Sequence, residues 1–247
     1  MSTRSSLRSS TDFNFSVPTT SASVELLDLA TPVRYADAWM LQQRLHRERV
    51  TGLRPDTLVL LEHQPIYTVG PRTSPTAWGG DPDASHINGI EVQHVTRGGS
   101  ITYHGPGQLV VYPIVRLSSH ARGVRDYVAR LEEAVIRALH QFGIEGRRRA
   151  KAPGVWVSHP HEAKMASLGI RVERGVTMHG LALNVDMDLR PFNAIVPCGL
   201  TGCRVTSIAE VLGRPVSVST MRHILLEQLQ TVFPFGYAGS REFDNAE

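Results

Sequence analysis

The strongest constraint on the fold of this chain is a continuous apolar run closely followed by an amphipathic one. Leu109 to Val115 is apolar throughout, which predicts a buried strand. Val124, Tyr127, Val128, Leu131, Val135, Ala138, Leu139 and Phe142 then recur at the 3.6-residue period of a helix, and Gly143 supplies its stop. Leu58–Leu61, Ile66–Val69, Val155–Val157, Ala166–Val172 and Leu181–Val185 read as further strands. Helices are expected over Val33–Val50 and Thr220–Val232, the latter with Met221, Leu225, Leu229 and Val232 inward. Strands cluster in the middle, with helices inserted rather than alternating strictly. That pattern predicts an α+β fold of mixed β-sheets flanked by helices, not a doubly wound parallel sheet.

The Ser/Thr-rich residues 1–22 are expected to form a disordered arm, residues 23–238 one folded domain, and residues 239–247 a disordered tail. The loop from Arg72 to Asn88 is long enough to suggest function. No apolar stretch approaches the roughly 20 residues that span a bilayer. Two cysteines in 247 residues do not make a disulfide scaffold, so a reducing, cytoplasmic setting is expected. A net charge of +3, scattered basic residues and 6% aromatics argue against a nucleic-acid module. The one dense basic run, Arg147-Arg148-Arg149, fits either a solvated loop or a docking patch for an acidic partner.

Against 24 arginines stand only two lysines, Lys151 and Lys164. Arginine serves wherever charge alone is needed, whereas a lysine amine can lose its proton when desolvated. Lys164 is expected at the mouth of an apolar strand, in Lys164-Met-Ala-Ser-Leu-Gly169. Cysteine is equally scarce, and Pro197 and Gly199 bracket Cys198 in a tight turn that can expose a thiol to a substrate. Cys198 and Cys203 form a Cys-x4-Cys pair that His159, His161 or His179 could join around zinc, but no second ligand pair has the proper spacing, so no metal is expected. Arg97-Gly-Gly-Ser-Ile-Thr-Tyr-His104-Gly-Pro-Gly-Gln108 offers glycines for close backbone approach and polar tips beside them. His179-Gly-Leu-Ala-Leu-Asn-Val185 leads a strand out of small residues suited to a narrow slot.

These segments, with Gly154-Val-Trp-Val157, resemble in order and spacing the octanoyltransferase family, also called lipoyl(octanoyl) transferases or lipoate-protein ligase B. The resemblance covers roughly Leu26 to Phe233. It implies the biotin/lipoate-protein ligase-like catalytic fold. It also implies transfer of an octanoyl group from acyl carrier protein to a specific lysine of lipoyl domains, those of 2-oxoacid dehydrogenases and the glycine cleavage H protein. By that resemblance Cys198 is the acyl-carrying nucleophile and Lys164 its dyad partner. Substrate contacts fall on Arg97, Gly98, Gly99, Ser100, Ile101, Thr102, Tyr103, His104, on Ser167, Leu168, Gly169, and on Gly180, Leu181, Ala182. No cofactor and no ATP are implied, because a thioester already carries the activation. The competing readings are an ATP-dependent ligase of the same fold, a cysteine hydrolase using Cys198 with His104 or His179, and a catalytically silent binding module.

Overall fold

The computed structural model describes residues 22–29, 32–78, 84–158, 160–199, 202–233 and 235–242. Along the chain come β1 (Ala22–Asp28), α1 (Tyr35–Thr51), β2 (Asp56–Leu61), β3 (Ile66–Val69), β4 (His86–Ile87), β5 (Ile90–His94), β6 (Thr102–His104), β7 (Gln108–Ile114), α2 (Leu117–His120), α3 (Val124–His140), β8 (Arg147–Arg148), β9 (Val155–Ser158), β10 (Glu162–Glu173), β11 (Val176–Asn184), α4 (Ile208–Leu212), α5 (Val218–Val232) and β12 (Phe235–Glu242). Eight strands form one mixed sheet in the order β12-β1-β2-β7-β11-β10-β9-β8. Strands β12, β1 and β2 run parallel, and the pairings from β2 through β8 are antiparallel. A smaller sheet, β4-β5-β3-β6, lies in the segment between β2 and β7.

The central strands alternate their side chains between two layers, as a pleated strand must. Leu58, Leu60, Leu109, Val111, Leu181 and Leu183 join one apolar cluster with Leu131, Val135 and Leu139 of α3 and Met221, Leu225 and Leu229 of α5. Val59, Leu61, Val110, Tyr112 and Ala182 face the other way and meet Ala38 and Leu45 of α1. Ser217 caps α5 by accepting a hydrogen bond from the Thr220 N–H, so the helix starts two residues ahead of its expected bound. The α+β architecture is as the sequence implies.

Three local expectations change. Strand β10 begins at Glu162, so Lys164 lies inside the strand rather than at its mouth. A bulge between Lys164 and Ala166 offsets the register against β9 there. Arg147 and Arg148 form a short strand instead of a loop, and their charges are matched: Arg147 and Arg149 pair with Glu162, Arg148 with Glu132 and Glu133. That pairing weakens the docking-patch reading. Strand β12 runs to Glu242 beside β1, so residues 239–242 are sheet and not tail. The expected N-terminal arm, apart from Ala22 in β1, lies outside the described residues, as does His159.

Candidate active site

A cavity of about 450 Å³ opens on the α1 side of the large sheet. Its size is in the ordinary range for small-molecule sites. Strands β10 and β11 supply part of its wall, where Ser167 pairs with Ala182 and Gly169 with Gly180, so four small residues sit side by side. A Cβ on Gly169 would lie 2.8 Å from the Gly98 carbonyl oxygen and 2.9 Å from Arg97 Cδ, so only glycine lets the Arg97 loop cross the strand this closely. The loop is fastened by the Gly98 N–H donating to Ile170 O (3.2 Å). Arg97 itself is buried, donating through Nη2 to Thr68 O (2.7 Å) and Thr68 Oγ1 (2.8 Å).

Lys164 is 3% exposed and borders the cavity. Its Nζ donates to the Pro153 carbonyl at 2.9 Å and lies 5.1 Å from the centre of the Trp156 ring, a cation–π arrangement. The turn that supplies Pro153 is clamped from behind. Gly154 N–H donates to Glu132 Oε1 (2.9 Å), and Trp156 Nε1 donates to Ala152 O (3.0 Å). Gly154 adopts φ +132°, and a Cβ there would stand 2.8 Å from Lys164 Cε; the missing side chain is the slot through which the lysine runs. Burial pushes the Glu132 carboxyl up, opposed by the Gly154 hydrogen bond and by the charges of Arg148 and Lys164.

The backbone of Lys164 joins the segment that follows the cysteine turn. Lys164 N–H donates to Arg204 O (2.8 Å), and Thr206 N–H returns a bond to Lys164 O (3.0 Å). Asn184 Nδ2 donates to Thr206 O (2.9 Å), and Gln108 Nε2 donates to Asn184 Oδ1 (2.9 Å). Because the Gln108 amide nitrogen is so engaged, its Oε1 accepts, and His104 Nδ1–H donates to it at 2.7 Å. One buried polar chain thus connects the Arg97–Gln108 motif, the His179–Val185 motif and the Lys164 strand. Pro197–Gly199 forms a single 3₁₀ turn, tied to the small-sheet side by the Val196 N–H donating to Ala77 O (2.7 Å). Gly199 borders the cavity, which brings the backbone beside Cys198 to the same space as Lys164.

Most of the expected contact residues line this one cavity: Arg97, Gly99 to Thr102, His104, Ser167 to Gly169, and Gly180 to Ala182. Two do not. Tyr103 alternates to the other face of β6, where its ring packs against Tyr67 and Phe192, and Gly98 serves as the clasp to β10. Tyr35, Arg72, Tyr112, Lys151 and His179 line the cavity without having been expected as contacts. Tyr35 and Tyr112 sit within a helix and strand whose sequence shows only periodicity, so nothing marked them. His179 stood inside a recognised motif, and its φ of +57°, unusual for a non-glycine strand residue, is visible only in the structure. Cys203 lies away from the cavity, its thiol donating to Arg204 O at 3.6 Å.

The histidines here are poor proton acceptors near neutrality. Burial, reinforced by Arg97, holds His179 down to about 3, and burial, with His63 and Arg97 nearby, holds His104 well below the usual imidazole range. His63, bonded to Tyr112 Oη at 2.6 Å, is lowered by burial to about 4.

The mixed sheet with a glycine-walled cavity and a buried lysine has the fold of the lipoate-protein ligases. The lipoate protein ligase of a bipartite system from Thermoplasma acidophilum superposes with a TM-score of 0.65 at 16% identity, over 91% of this chain and 88% of that one. A lipoate-protein ligase A bound with ATP superposes with a TM-score of 0.66 at 16% identity, over 92% and 90%. Residues 34–230 match the family of the lipoyl protein ligase A/B catalytic domain. An octanoyltransferase of Syntrophotalea carbinolica is 41% identical over 85% of this chain and 94% of its own, and one of Chloroflexus aurantiacus is 45% identical over 81% and 90%. The chain belongs to the octanoyltransferase family, within the lipoyl protein ligase A/B catalytic domains.

Proposed function

We propose that this protein moves an octanoyl group from octanoyl-acyl carrier protein, through a thioester on Cys198, to a specific lysine of apo lipoyl domains. The observation that carries this reading is the shared cavity: Lys164, the Arg97 loop, the small-residue wall of β10 and β11, and Gly199 beside Cys198 all border one space. The octanoyltransferase relatives, similar over most of both chains, support it. Lipoyl domains of 2-oxoacid dehydrogenases and of the glycine cleavage H protein are the acceptors this assigns, and the cytoplasm is the setting in which the donor and these acceptors meet.

The chemistry runs in two halves. A free thiol with a pKa of about 8.5 is a few per cent thiolate at neutral pH, and a neighbouring ammonium raises that fraction. The Cys198 thiolate attacks the octanoyl carbonyl, the carbon–sulfur bond to the carrier breaks, and the departing carrier sulfur takes the proton from Lys164. The acceptor lysine, with an ordinary pKa near 10.4, then attacks the acyl-enzyme. Its surplus proton passes to neutral Lys164, the Cys198 thiolate leaves, and the starting ion pair is restored. Arginine could hold the thiolate but could not take up that proton. The depressed His104 and His179 speak against the hydrolase reading, which needs one of them as base. Activation by ATP has no task when the donor is already a thioester.

Intact-protein mass spectrometry tests the scheme. Incubation with octanoyl-acyl carrier protein should add one octanoyl group, and an apo lipoyl domain should remove it. Cys198→Ala should show no adduct; an adduct persisting on Cys203 overturns the assignment. Lys164→Arg should slow transfer to the acceptor about 100-fold, more than it slows acylation. Equal losses in both halves would strip Lys164 of the base role.

A further inference from the structure

Four cationic side chains line the cavity, Arg72, Arg97, Lys151 and Lys164, and no carboxylate does so among the described residues. Arg97 and Lys164 commit donors to Thr68 and Pro153. Arg72 and Lys151 are exposed and make no ion pair or side-chain hydrogen bond among the described residues. Some arginines elsewhere on this surface are matched with acids, as in Arg147–Glu162, Arg148–Glu133 and Arg190–Asp188. Arg72 and Lys151 thus set two positive charges at the cavity mouth, with no carboxylate among the described residues that line it.

The backbone marks the same place. Four described non-glycine residues hold positive φ. Asn88 and Arg174 each precede a glycine at positive φ in a tight strand-to-strand turn, the expected setting for that conformation. The other two, Lys151 at +62° and His179 at +57°, both line the cavity. Left-handed conformation is unfavourable for a residue with a Cβ and gathers at ligand sites. A glycine would be easier at position 151, yet one of only two lysines in the chain stands there. The loop that presents Lys151 is the one whose Pro153 carbonyl holds Lys164, so mouth and reactive centre are two ends of one short segment.

We propose that Arg72 and Lys151 form a phosphate-binding site at the cavity mouth, which takes the phosphodiester of the phosphopantetheine arm on the acyl donor. An octanoyl thioester is uncharged, so the unmatched cations answer some other part of the ligand. A guanidinium fork and a compact ammonium together suit phosphate oxygens. Both border the cavity that the acyl group must enter, which favours the donor's arm over carboxylates on the acceptor's surface. The inference rests on the octanoyl-transfer reading above.

The test uses the full chain, an apo lipoyl domain and two donors that differ only in the phosphate, octanoyl-phosphopantetheine and octanoyl-pantetheine. Arg72→Gln and Lys151→Met should each lower kcat/KM about 10-fold for the phosphorylated donor, and less than about 2-fold for the other. Lys151→Gly should act like Lys151→Met while melting no lower than the parent, because it relieves the strained φ. Parallel losses with both donors, or none with either, overturn the site. So does the same charge dependence with octanoyl-AMP in place of the arm, which would make the phosphate a nucleotide's. Calorimetry with phosphopantetheine alone keeps the two readings apart. Weaker binding to Lys151→Met supports the site even if no donor is turned over, and equal binding overturns it even if transfer proceeds.

Discussion

On the α3/α5 side of the large sheet, Leu58, Leu60, Leu109, Val111, Leu181 and Leu183 meet a mainly apolar helix surface. On the other side the alternate residues of the same strands meet α1, whose buried positions include Gln42 and His46 beside Ala38 and Leu45. That second side also buries His63, His104, Tyr112 and His179. Gln42 Oε1 accepts from the His179 N–H (2.8 Å), and the indole of Trp39 stacks on the His179 ring at 5.0 Å. One face buries mainly apolar area, the other a polar layer in which Gln42 Oε1 and the His179 N–H are paired while Tyr35 Oη, Gln42 Nε2 and His179 Nδ1 have no partner among the described residues. The difference teaches where stability and function separate. Apolar packing tolerates no voids but specifies no chemistry, whereas a partly paired polar layer shapes a cavity at a cost in stability.

The largest effect should come from the apolar side. Leu131→Ala removes a fully buried side chain from the middle of α3 and should cost about 2–5 kcal/mol in a denaturant melt. Octanoyl transfer per folded molecule should stay within about 2-fold. A 10-fold fall in kcat/KM at full folding would mean the two faces are not separable and would break the comparison.

Next comes acid stability, which belongs mainly to the cavity side. His63 at about 4 and His179 at about 3 stay neutral when folded, while the unfolded chain protonates them near 6.5. The unfolded state therefore binds more protons over that interval, and stability falls as pH drops from about 6.5 toward 4. For His63 the gap corresponds to at most about 3 kcal/mol. The buried polar pair on the helix side behaves differently. Burial pushes Asp56 up, but hydrogen bonds from His120 and Arg49 outweigh it and hold the carboxyl below its ordinary range. Its contribution is lost only as pH falls through that lowered value, beneath about 3.8. Melting temperature should thus decline between pH 6.5 and 4.5, and His179→Asn, a residue that tolerates positive φ, should flatten the slope. An unchanged slope would show that the cavity histidines do not set it.

The same contrast explains what could be read from the sequence. Helix α3 was legible because Tyr127, Leu131, Val135, Ala138 and Leu139 repeat at one period and all become buried. Strands β2, β3, β7, β9 and β11 were legible for the same reason, being apolar over most of their length. The two- and three-residue strands β4, β6 and β8 are too short to show a period, and β12 depends on its distant partner β1. The site was legible only where residues stood in a family motif, and the structure then separates their roles. His104, Gln108 and Asn184 turn out to be links in one hydrogen-bonded chain, Tyr103 a core residue, and Gly98 a clasp. Tyr35 and Lys151 reach the cavity through tertiary folding alone. Lys151 had drawn notice only through the scarcity of lysine.

The smallest effect tests a residue that joins the two sides. Glu132 belongs to α3, yet its carboxylate accepts from the Gly154 N–H and pairs with Arg148 Nε at 3.3 Å. The turn it holds carries the Pro153 carbonyl that receives Lys164 Nζ, so the helix layer reaches the cavity through this side chain. Glu132→Gln keeps an acceptor for Gly154 but removes the charge, and should cost about 1 kcal/mol with a few-fold fall in the rate of acyl transfer to the acceptor. Glu132→Ala leaves the buried Gly154 N–H without its partner and should cost about 1–3 kcal/mol, with a larger fall in that rate. Single-turnover transfer from the preformed acyl-enzyme separates the outcomes. If Glu132→Ala loses stability but transfers at the parent rate, the turn is held by its other contacts, and the apolar side ends where its leucines do. If the rate falls in the order Gln then Ala, the boundary between scaffold and site runs through this carboxylate.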